Sequence, residues 1–466
     1  MNFKRGIDSN QVFLLPKKPS EFLPDDHLAK VVYEVVDLLN ISNIESKYSE
    51  LGQNAFNPRM MIRDIFYGYS TSVRSSRKIS KGCEDRFDFN YLSDGLKPSH
   101  DRISDFRKDN LEELKQLFQE IVLIGTNLGI AKLGNIKTSI DGTKVKANAS
   151  AKLSKDEDGL KKLLDKTREE IDKMFEEAEH IDDEEDRKYG KENRGDELPE
   201  KLRNKKSREK AIKEAYEKLK RQKEEMKAKI MRKKNREPTE AELKKIEKKK
   251  INITDNDAKF MKQRNGIIKP SYNAQASVDE ENQFILANDV TDQCNDQHQL
   301  VPMLEQTEKN IGERPKQAKA DNGYHPQIDK AREMFPEIDL YVDDKNRRNE
   351  YINFHELKKK YSKEEYNNLM KIVSPEGEEK YKKRMHTVEP VFGNLKHNLG
   401  YRDLLLRGLS KAKGEFNLMC IGHNLKKIAT FLTKSKNNLA RALRDIEKTK
   451  KIEMNVGISN RICVNC

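Results

Sequence analysis

The feature that most constrains the fold is an uneven distribution of charge along the chain. From about Lys152 to Lys250, roughly 60 of some 100 residues are Asp, Glu, Lys or Arg, about twice the density elsewhere. A stretch this polar buries little surface of its own. Its apolar residues recur at three- or four-residue steps, as at Ala215, Leu219 and Met226, which predicts long solvated helices with a thin apolar face.

The end of one helix and the start of another are predicted inside this stretch. Pro238 cannot continue a helix, and Thr239 followed by Glu242 is the pattern of a capping box. An antiparallel helical hairpin is therefore expected. It is either a solvated insertion without chemistry or an arm that faces DNA.

The residues before this stretch have helical periodicity. HLAKVVYEVVDLLN repeats apolar residues at helical spacing, and Asn57-Pro58 opens a second helix. Ser99 or Asp101 starts another amphipathic helix, which is expected to continue to Leu128 and stop at Gly129. We predict an all-α N-terminal domain.

After residue 135 the pattern changes from helical spacing to short β-branched or alternating runs. The order is three strands, a helix, a strand, a helix and a strand. The strand runs are IKTSIDGTKVKANAS, SYNAQASVD, QFILANDVTD, PKQAKADNGYH and IDLYVDD, and the first helix is HQLVPMLEQTEKN. This order predicts an α/β fold with a mixed sheet and helices packed on it. The charged stretch interrupts it after the first strand.

Three carboxylates are the candidates for chemistry. Asp141 follows the run IKTSI and precedes Gly142, and Asp321 precedes Asn-Gly, so both are expected at strand ends, although each is also an ordinary turn signal. Glu389 is expected from a helix, with Lys396 two turns further on. Carboxylate oxygens at this spacing suit a hard divalent cation such as Mg²⁺ or Mn²⁺ and its phosphate ligands.

Several ordered motifs support this interpretation. TSIDGTKVKANAS, ITDNDAKFMKQRNG, YNAQASVD, NDVTDQCNDQHQLVPML, KADNGYH and HTVEPVFGNLKHNLGYRDLLLRGLSKAKGEFNLMCIGHNLKKI resemble the successive motifs of bacterial insertion-sequence transposases of the DDE class. PSHDRISDFRKDN resembles their helical N-terminal domain. The resemblance spans roughly residues 20 to 435. It implies a ribonuclease H-like catalytic core, two Mg²⁺ (or Mn²⁺) ions, and an acidic triad of Asp141, Asp321 and Glu389.

The resemblance also implies the partners of the chain. These are DNA, both as terminal inverted repeats of the element and as target, and a second copy, because two ends must be joined. In the reaction that the resemblance implies, water attacks a phosphodiester at the element end, and the freed 3′-hydroxyl then attacks target DNA. The net charge of +13 agrees with a polyanionic partner.

Five residues are predicted to contact DNA. Tyr381, Arg384, Glu389 and Lys396 are similar to a Tyr, Arg, Glu, Lys pattern of such enzymes, but the interval from Arg to Glu is one residue longer. A continuous helix would put Arg384 and Glu389 on different faces, so Lys396 is the stronger candidate. Tyr324 either flanks DNA or packs on the sheet. Arg102 and Arg107 either meet phosphates or are ordinary surface residues.

Two other functions remain open at this point. A metal-dependent nuclease without strand transfer needs the same acids, and a catalytically inactive relative would bind DNA alone. No apolar run reaches about 18 residues, so no membrane span is expected. Five cysteines, an odd number, in a large chain favour a reducing compartment, and we expect a cytoplasmic, nucleoid-associated protein.

These patterns divide the chain into five parts. The predicted parts are a helical DNA-binding domain at 1–130, the first part of the catalytic core at 131–151, the charged helical insertion at 152–252, the remainder of the core at 253–435 and a C-terminal tail at 436–466.

Overall fold

The computed structural model describes five segments of the chain. These are residues 18–48, 54–172, 200–263, 265–349 and 351–435. The predicted C-terminal tail at 436–466 lies outside them. Within the described segments, no helix combines the length and the apolar composition that crossing a bilayer requires.

The predicted helical N-terminal region is confirmed. Before the first strand the described residues form α1 (Leu28–Leu38), α2 (Ser42–Glu45), α3 (Pro58–Ser70), α4 (Ser76–Asp85), α5 (Phe87–Leu92), α6 (His100–Asp109) and α7 (Leu111–Asn127). Two predicted helix starts are confirmed by caps, because the Asn57 side chain accepts from the Arg59 amide and the Ser99 side chain from the Arg102 amide.

The helix predicted from Ser99 to Leu128 is two helices, with Asn110 between them. Asn110 has a backbone conformation of φ −118° and ψ 24°, outside the helical region. Its side-chain amide donates to the Phe106 carbonyl at 2.9 Å, which offers the chain a local alternative to the helical hydrogen bond.

The mixed sheet contains the five strands that the sequence predicts and a sixth, Lys259–Lys262, that the sequence analysis missed. Its strands are β1 (Lys137–Lys146), β4 (Lys259–Lys262), β5 (Ile268–Asp279), β6 (Ile285–Thr291), β7 (Gln317–Ala320) and β8 (Asp339–Val342). β5 is antiparallel to β1, β4 and β6, whereas β7 is parallel to both β1 and β8. α11 (Leu300–Ile311) and α12 (Ile328–Met334) separate β6, β7 and β8 along the chain. The ribonuclease H-like α/β core is therefore confirmed.

The charged insertion leaves the sheet after β1 and closes on itself. Two short antiparallel strands, β2 (Ser154–Lys155) and β3 (Ile251–Asn252), join its two ends. Between them lie α8 (157–172, up to the limit of the described residues), α9 (Glu200–Lys234) and α10 (Glu240–Glu247). The predicted capping box of Thr239 and Glu242 is confirmed at the start of α10.

The insertion has a small apolar core of its own. This core contains Leu160, Ile212, Ala215, Leu219, Ile251 and Ile253. Ile171, near the described end of α8, is also buried, whereas Met226 on α9 is 36% exposed. The core of the insertion is therefore separate from the core of the sheet.

The C-terminal part covers the sheet and joins it to the N-terminal helices. It consists of α13 (Phe354–Lys360), α14 (Lys363–Val373), α15 (Pro375–Lys382), α16 (Val388–Gly393), a π-helix (Asn394–Asn398) and α17 (Leu409–Ser435). α17 packs against α3 so closely that a Cβ on Gly422 would lie 2.6 Å from the Tyr69 backbone. The buried side chains of α3, α7, α17 and β5 form one continuous core.

Candidate active site

Two of the three predicted acids lie on neighbouring strands. β1 and β7 are parallel: Lys137 pairs with Gln317, Thr138 with Ala318 and Ser139 with Lys319. Continuing this register places Asp141 level with Asp321, which directly follows the end of β7. The Asp321 carboxylate also accepts a hydrogen bond from the Gly323 amide at 2.8 Å, which fixes its position.

The prediction that Asp141 lies at a strand end is wrong. β1 continues to Lys146 because β5 pairs along its whole length, with Asp141 opposite Ala276. The Gly142 amide donates to Asp141 Oδ1 at 2.9 Å. Asp141 is therefore held by the interior of a strand, which is a more rigid support than a turn.

Arg384 brings a positive charge to both aspartates. Its Nη2 lies 3.0 Å from Asp141 Oδ1 and 4.0 Å from Asp321 Oδ2. Only 8% of the Arg384 side chain is exposed, and its buried Nε atom has no hydrogen-bond acceptor among the residues that the structure describes. The guanidinium thus faces both carboxylates, as a cation bound by them would.

Burial and mutual repulsion raise the pKa values of these two carboxylates. Burial raises the pKa of Asp141 to about 6, the Arg384 guanidinium opposes this rise, and the Asp321 carboxylate adds to it. The pKa of Asp321 is also raised, by burial, with Arg384 opposing and Asp296 adding to the rise. A divalent cation between the two carboxylates would favour their ionised forms.

The structure does not bring Glu389 into contact with the two aspartates. Glu389 is exposed in the first turn of α16, next to the buried Val388. Within the described segments no hydrogen bond or ion pair joins it to Asp141 or Asp321. The helix predicted to run through Glu389 is also not continuous, because α15 ends at Lys382 and α16 begins at Val388. The helix thus begins between Arg384 and Glu389.

Lys396 connects the π-helix to β1 beside the aspartates. Its ammonium donates to Thr143 Oγ1 at 2.5 Å and to the Lys144 carbonyl at 2.8 Å. Lys396 is half-buried and lies within the Asn394–Asn398 π-turn, a deviation from regular helix that is frequent at functional sites.

Besides Arg384, two residues predicted to contact DNA are buried. Tyr324 is 0% exposed, and its hydroxyl donates to Gln275 Oε1 on β5. The prediction of a DNA contact is wrong for this residue, because the ring packs on the sheet. Burial also raises the pKa of the Tyr324 hydroxyl, so it remains a neutral donor.

Arg107 is the second of these residues, and Arg102 contrasts with it. Arg107 is 6% exposed and donates to the Arg74 carbonyl at 3.1 Å and to the Tyr69 hydroxyl at 3.3 Å. The Arg107 guanidinium is therefore bound inside the helical region, where a phosphate does not reach it, and the predicted DNA contact is wrong. Arg102, five residues earlier on α6, is exposed.

Asp296 completes the site, and the sequence analysis missed it. It lies between β6 and α11, and its Oδ1 accepts from Asn273 Nδ2 at 2.7 Å and from Gln275 Nε2 at 2.6 Å. Only the polar run TDQCNDQHQ, between a strand and a helix, signals it. The two amides that hold Asp296 come from a distant strand, and no spacing in the sequence reveals them.

Two glycines leave space between these groups. A Cβ on Gly142 would lie 2.4 Å from Asp296 Oδ1. A Cβ on Gly323 would lie 2.9 Å from Asp321 Oδ1 and 3.5 Å from Asp296 Oδ2. Any larger residue at these positions would fill the space that the Asp296 and Asp321 carboxylates border. We call this space, which Gly142 and Gly323 leave open, the glycine cradle.

The donor set fits a hard divalent cation that retains water ligands. Asp141 and Asp321 supply oxygen atoms, the glycine cradle supplies room, and Arg384 occupies the position of a counter-charge. Among the described residues, no three His, Cys, Asp or Glu side chains are already arranged as a complete metal-binding group. The two aspartates would therefore need further oxygens, from water, phosphate or another carboxylate, to complete the coordination of a cation.

Comparison with known proteins gives two matches. A family model described as a transposase DDE domain matches residues 344–429, and a transposase domain (DUF772) matches residues 17–109. The first match contains Arg384, Glu389 and Lys396, and the second covers most of the N-terminal helices. No curated protein and no solved structure matches significantly.

Proposed function

We propose that this chain is a DNA transposase of the DDE class, a proposal supported by the two transposase family models that match parts of it. It binds the ends of an insertion sequence, cleaves phosphodiesters there and transfers the 3′ ends to target DNA. The observation that carries the proposal is the level placement of Asp141 and Asp321 around one cationic group, Arg384.

Asp141, Asp321 and Glu389 are proposed as the catalytic acids. The two aspartates would hold Mg²⁺ or Mn²⁺, and Glu389, at the start of α16, would supply the third carboxylate once DNA and metal are bound. When bound, two such ions supply activation of the attacking oxygen and neutralisation of the leaving oxygen. The protein residues then need only to position the ions and the phosphate, and no protein nucleophile is required.

Basic residues around the acids would bind the DNA backbone. Lys396 is anchored on β1 next to Asp141, and Arg384 already lies at the aspartates, so both are suited to a phosphate at the site. Arg102, exposed on α6, is the proposed contact in the helical region. Phosphate contacts of this kind fix the register of the protein on DNA without reading sequence.

Each part of the fold has a proposed function. Residues 1–130 bind element ends, residues 131–151 and 253–435 form the catalytic core, and residues 152–252 form the insertion. The separate small core of the insertion supports its boundaries. Two ends must be joined, so we propose a homodimer on paired ends, which light scattering of the protein with end DNA would detect.

The test is a cleavage assay with DNA carrying the element ends. Asp141→Asn, Asp321→Asn and Glu389→Gln should each lose Mg²⁺-dependent cleavage and still bind the DNA. Cleavage that survives in one of these variants would remove that residue from the site. An absence of cleavage by the wild type would favour a non-catalytic DNA-binding protein.

A donor that is already cut distinguishes the transposase from a nuclease. Joining of its 3′ end to a target plasmid supports strand transfer, whereas hydrolysis alone supports a metal-dependent nuclease.

A further inference from the structure

We propose that Asp296 is a positioning residue for the cation of this site, with its Oδ2 accepting a hydrogen bond from a water bound to the ion. The inference rests on the proposed function. It adds a fourth carboxylate that acts through water, outside the acidic triad.

One oxygen of Asp296 is fixed by the sheet. Oδ1 accepts from both Asn273 and Gln275, whose side chains are fully buried on β5. Gln275 is oriented in turn by the Tyr324 hydroxyl, which donates to its Oε1. With Oδ1 held by two amides, the carboxylate has a single orientation, and Oδ2 is directed by the same contacts.

The other oxygen faces the space beside Asp321. A Cβ on Gly323 would lie within 3.5 Å of both Asp296 Oδ2 and Asp321 Oδ1, so these two oxygens border the same gap. A gap between two carboxylate oxygens suits a water that donates one hydrogen bond to each. Mg²⁺ usually retains several waters in proteins, and such a water would connect Asp296 to an ion held by Asp321.

Two buried polar atoms near the aspartates have no hydrogen-bond partner among the described residues. Asn273 is 0% exposed, and its Oδ1, which lies 3.0 Å from the Cβ position of Gly142, is one of them. Arg384 Nε is the other. Buried polar atoms are rarely left unpaired, so both observations indicate a hydrated ligand at the site.

The charges that face Asp296 agree with this role. Lys144 is the nearest cationic side chain, with its ammonium 3.8 Å from Asp296 Oδ1, which is too long for a hydrogen bond. The anionic neighbours are Asp141 and Asp321. Three carboxylates around one space attract a divalent ion more strongly than two do.

The test measures Mn²⁺ affinity of the full-length protein without DNA, by electron paramagnetic resonance. Asp296→Asn retains an oxygen that accepts from Asn273 and Gln275, removes the charge and replaces the Oδ2 acceptor with an NH2 donor. We expect it to bind Mn²⁺ about tenfold more weakly. Asp292→Asn, in the same loop but 42% exposed beside Lys259, is the matched control and should bind within twofold of the wild type.

An affinity of Asp296→Asn within twofold of the wild type overturns the inference. If the melting temperature shows that this variant does not fold, the pair Asp296→Glu and Asp296→Gln decides, because these side chains have equal length and differ in charge. The Glu variant should bind Mn²⁺ more tightly than the Gln variant, and equal affinities overturn the inference.

Asp141→Asn separates this inference from the proposed function. Loss of Mn²⁺ binding in Asp141→Asn together with unchanged binding in Asp296→Asn refutes only the role of Asp296. Unchanged binding in Asp141→Asn refutes the cation site itself.

Discussion

Arg384 Nη2 lies 3.0 Å from Asp141 Oδ1 and 4.0 Å from Asp321 Oδ2, so one buried guanidinium faces two acids from different strands. We expect Arg384→Ala to lower the free energy of unfolding of the metal-free protein by about 3 kcal/mol, because it leaves two partly buried carboxylates facing each other without a cation. Urea denaturation measures this loss. Mn²⁺ should stabilise the variant more than the wild type.

The exposed Arg314 provides the control for this change. It pairs with Glu308 and Glu337 at the surface, so Arg314→Ala should cost less than about 1 kcal/mol. Equal effects of the two substitutions would show that Arg384 has no special electrostatic role.

Gly142→Ala tests the cradle between Asp141 and Asp296. The new methyl group would lie 2.3 Å from Gln275 Nε2 and 2.4 Å from Asp296 Oδ1, and overpacking of this kind costs about 1–3 kcal/mol. Mn²⁺ affinity should also fall, because the Asp296 carboxylate must move. Titration calorimetry and thermal denaturation measure the two effects.

Gly393→Ala is the matched substitution without a clash. Gly393 has helical backbone angles and no neighbouring atom within 4 Å of its Cβ position. It should stabilise the protein by about 0.4–1 kcal/mol and leave Mn²⁺ affinity unchanged. A similar loss of affinity in both variants would contradict the cradle.

The two arginines of α6 should separate stability from DNA binding. Arg107→Ala should lower the free energy of unfolding by about 2 kcal/mol, because the Tyr69 hydroxyl and the Arg74 carbonyl lose their charged donor. Arg102→Ala, at an exposed position, should change stability by less than about 0.5 kcal/mol. It should weaken DNA binding and reduce the slope of log affinity against log salt concentration by about 1. A loss of stability in Arg102→Ala together with a loss of DNA binding alone in Arg107→Ala would contradict these assignments.

His423 should make stability depend on pH below neutrality. Its Nε2 lies 2.9 Å from the Gln283 carbonyl, and its Nδ1 lies 3.1 Å from Asn394 Nδ2. A neutral ring protonated at Nε2 satisfies both contacts, whereas a charged ring would point a second N–H at the Asn394 amide group. Burial lowers the pKa of His423 to about 4.

The sign of the pH effect follows from this lowered pKa. Between pH 6.5 and 4 the unfolded chain binds a proton at His423 that the folded chain does not, so the contribution of His423 to the free energy of unfolding falls as the pH falls, by at most about 3 kcal/mol. The raised pKa of Asp141 acts in the opposite direction, because the folded chain binds a proton there first. Urea denaturation at pH 7 and pH 5 measures this fall. It should be smaller in His423→Gln and unchanged in His298→Gln, which alters an exposed histidine. Equal pH dependence in all three proteins would contradict the prediction.

Features that depend on neighbouring residues were predictable from the sequence. The caps at Asn57, Ser99 and Thr239 act within three residues, so the local pattern determines them. The order of strands and helices was predictable for the same reason, since each element carries its own periodicity.

Features that depend on distant partners were not predictable. Asp141 lies inside a strand because β5 is long enough to pair beyond it, and Asp296 belongs to the site because amides from β5 hold it. Tyr324 and Arg107 are polar residues whose burial depends on tertiary partners. A single sequence without its contacts cannot distinguish such residues from exposed ones.

The pairing of β2 with β3 returns the chain to the sheet beside the point where it left. Ser154 faces Asn252 and Lys155 faces Ile251, so the distance between the two exits is set by this ladder and not by the number of residues between them. The spacing of the acids in the sheet therefore does not depend on the length of the insertion. Lengthening, shortening or exchanging the residues between β2 and β3 should leave Asp141 and Asp321 in place, which makes this junction the natural position for grafting a foreign domain.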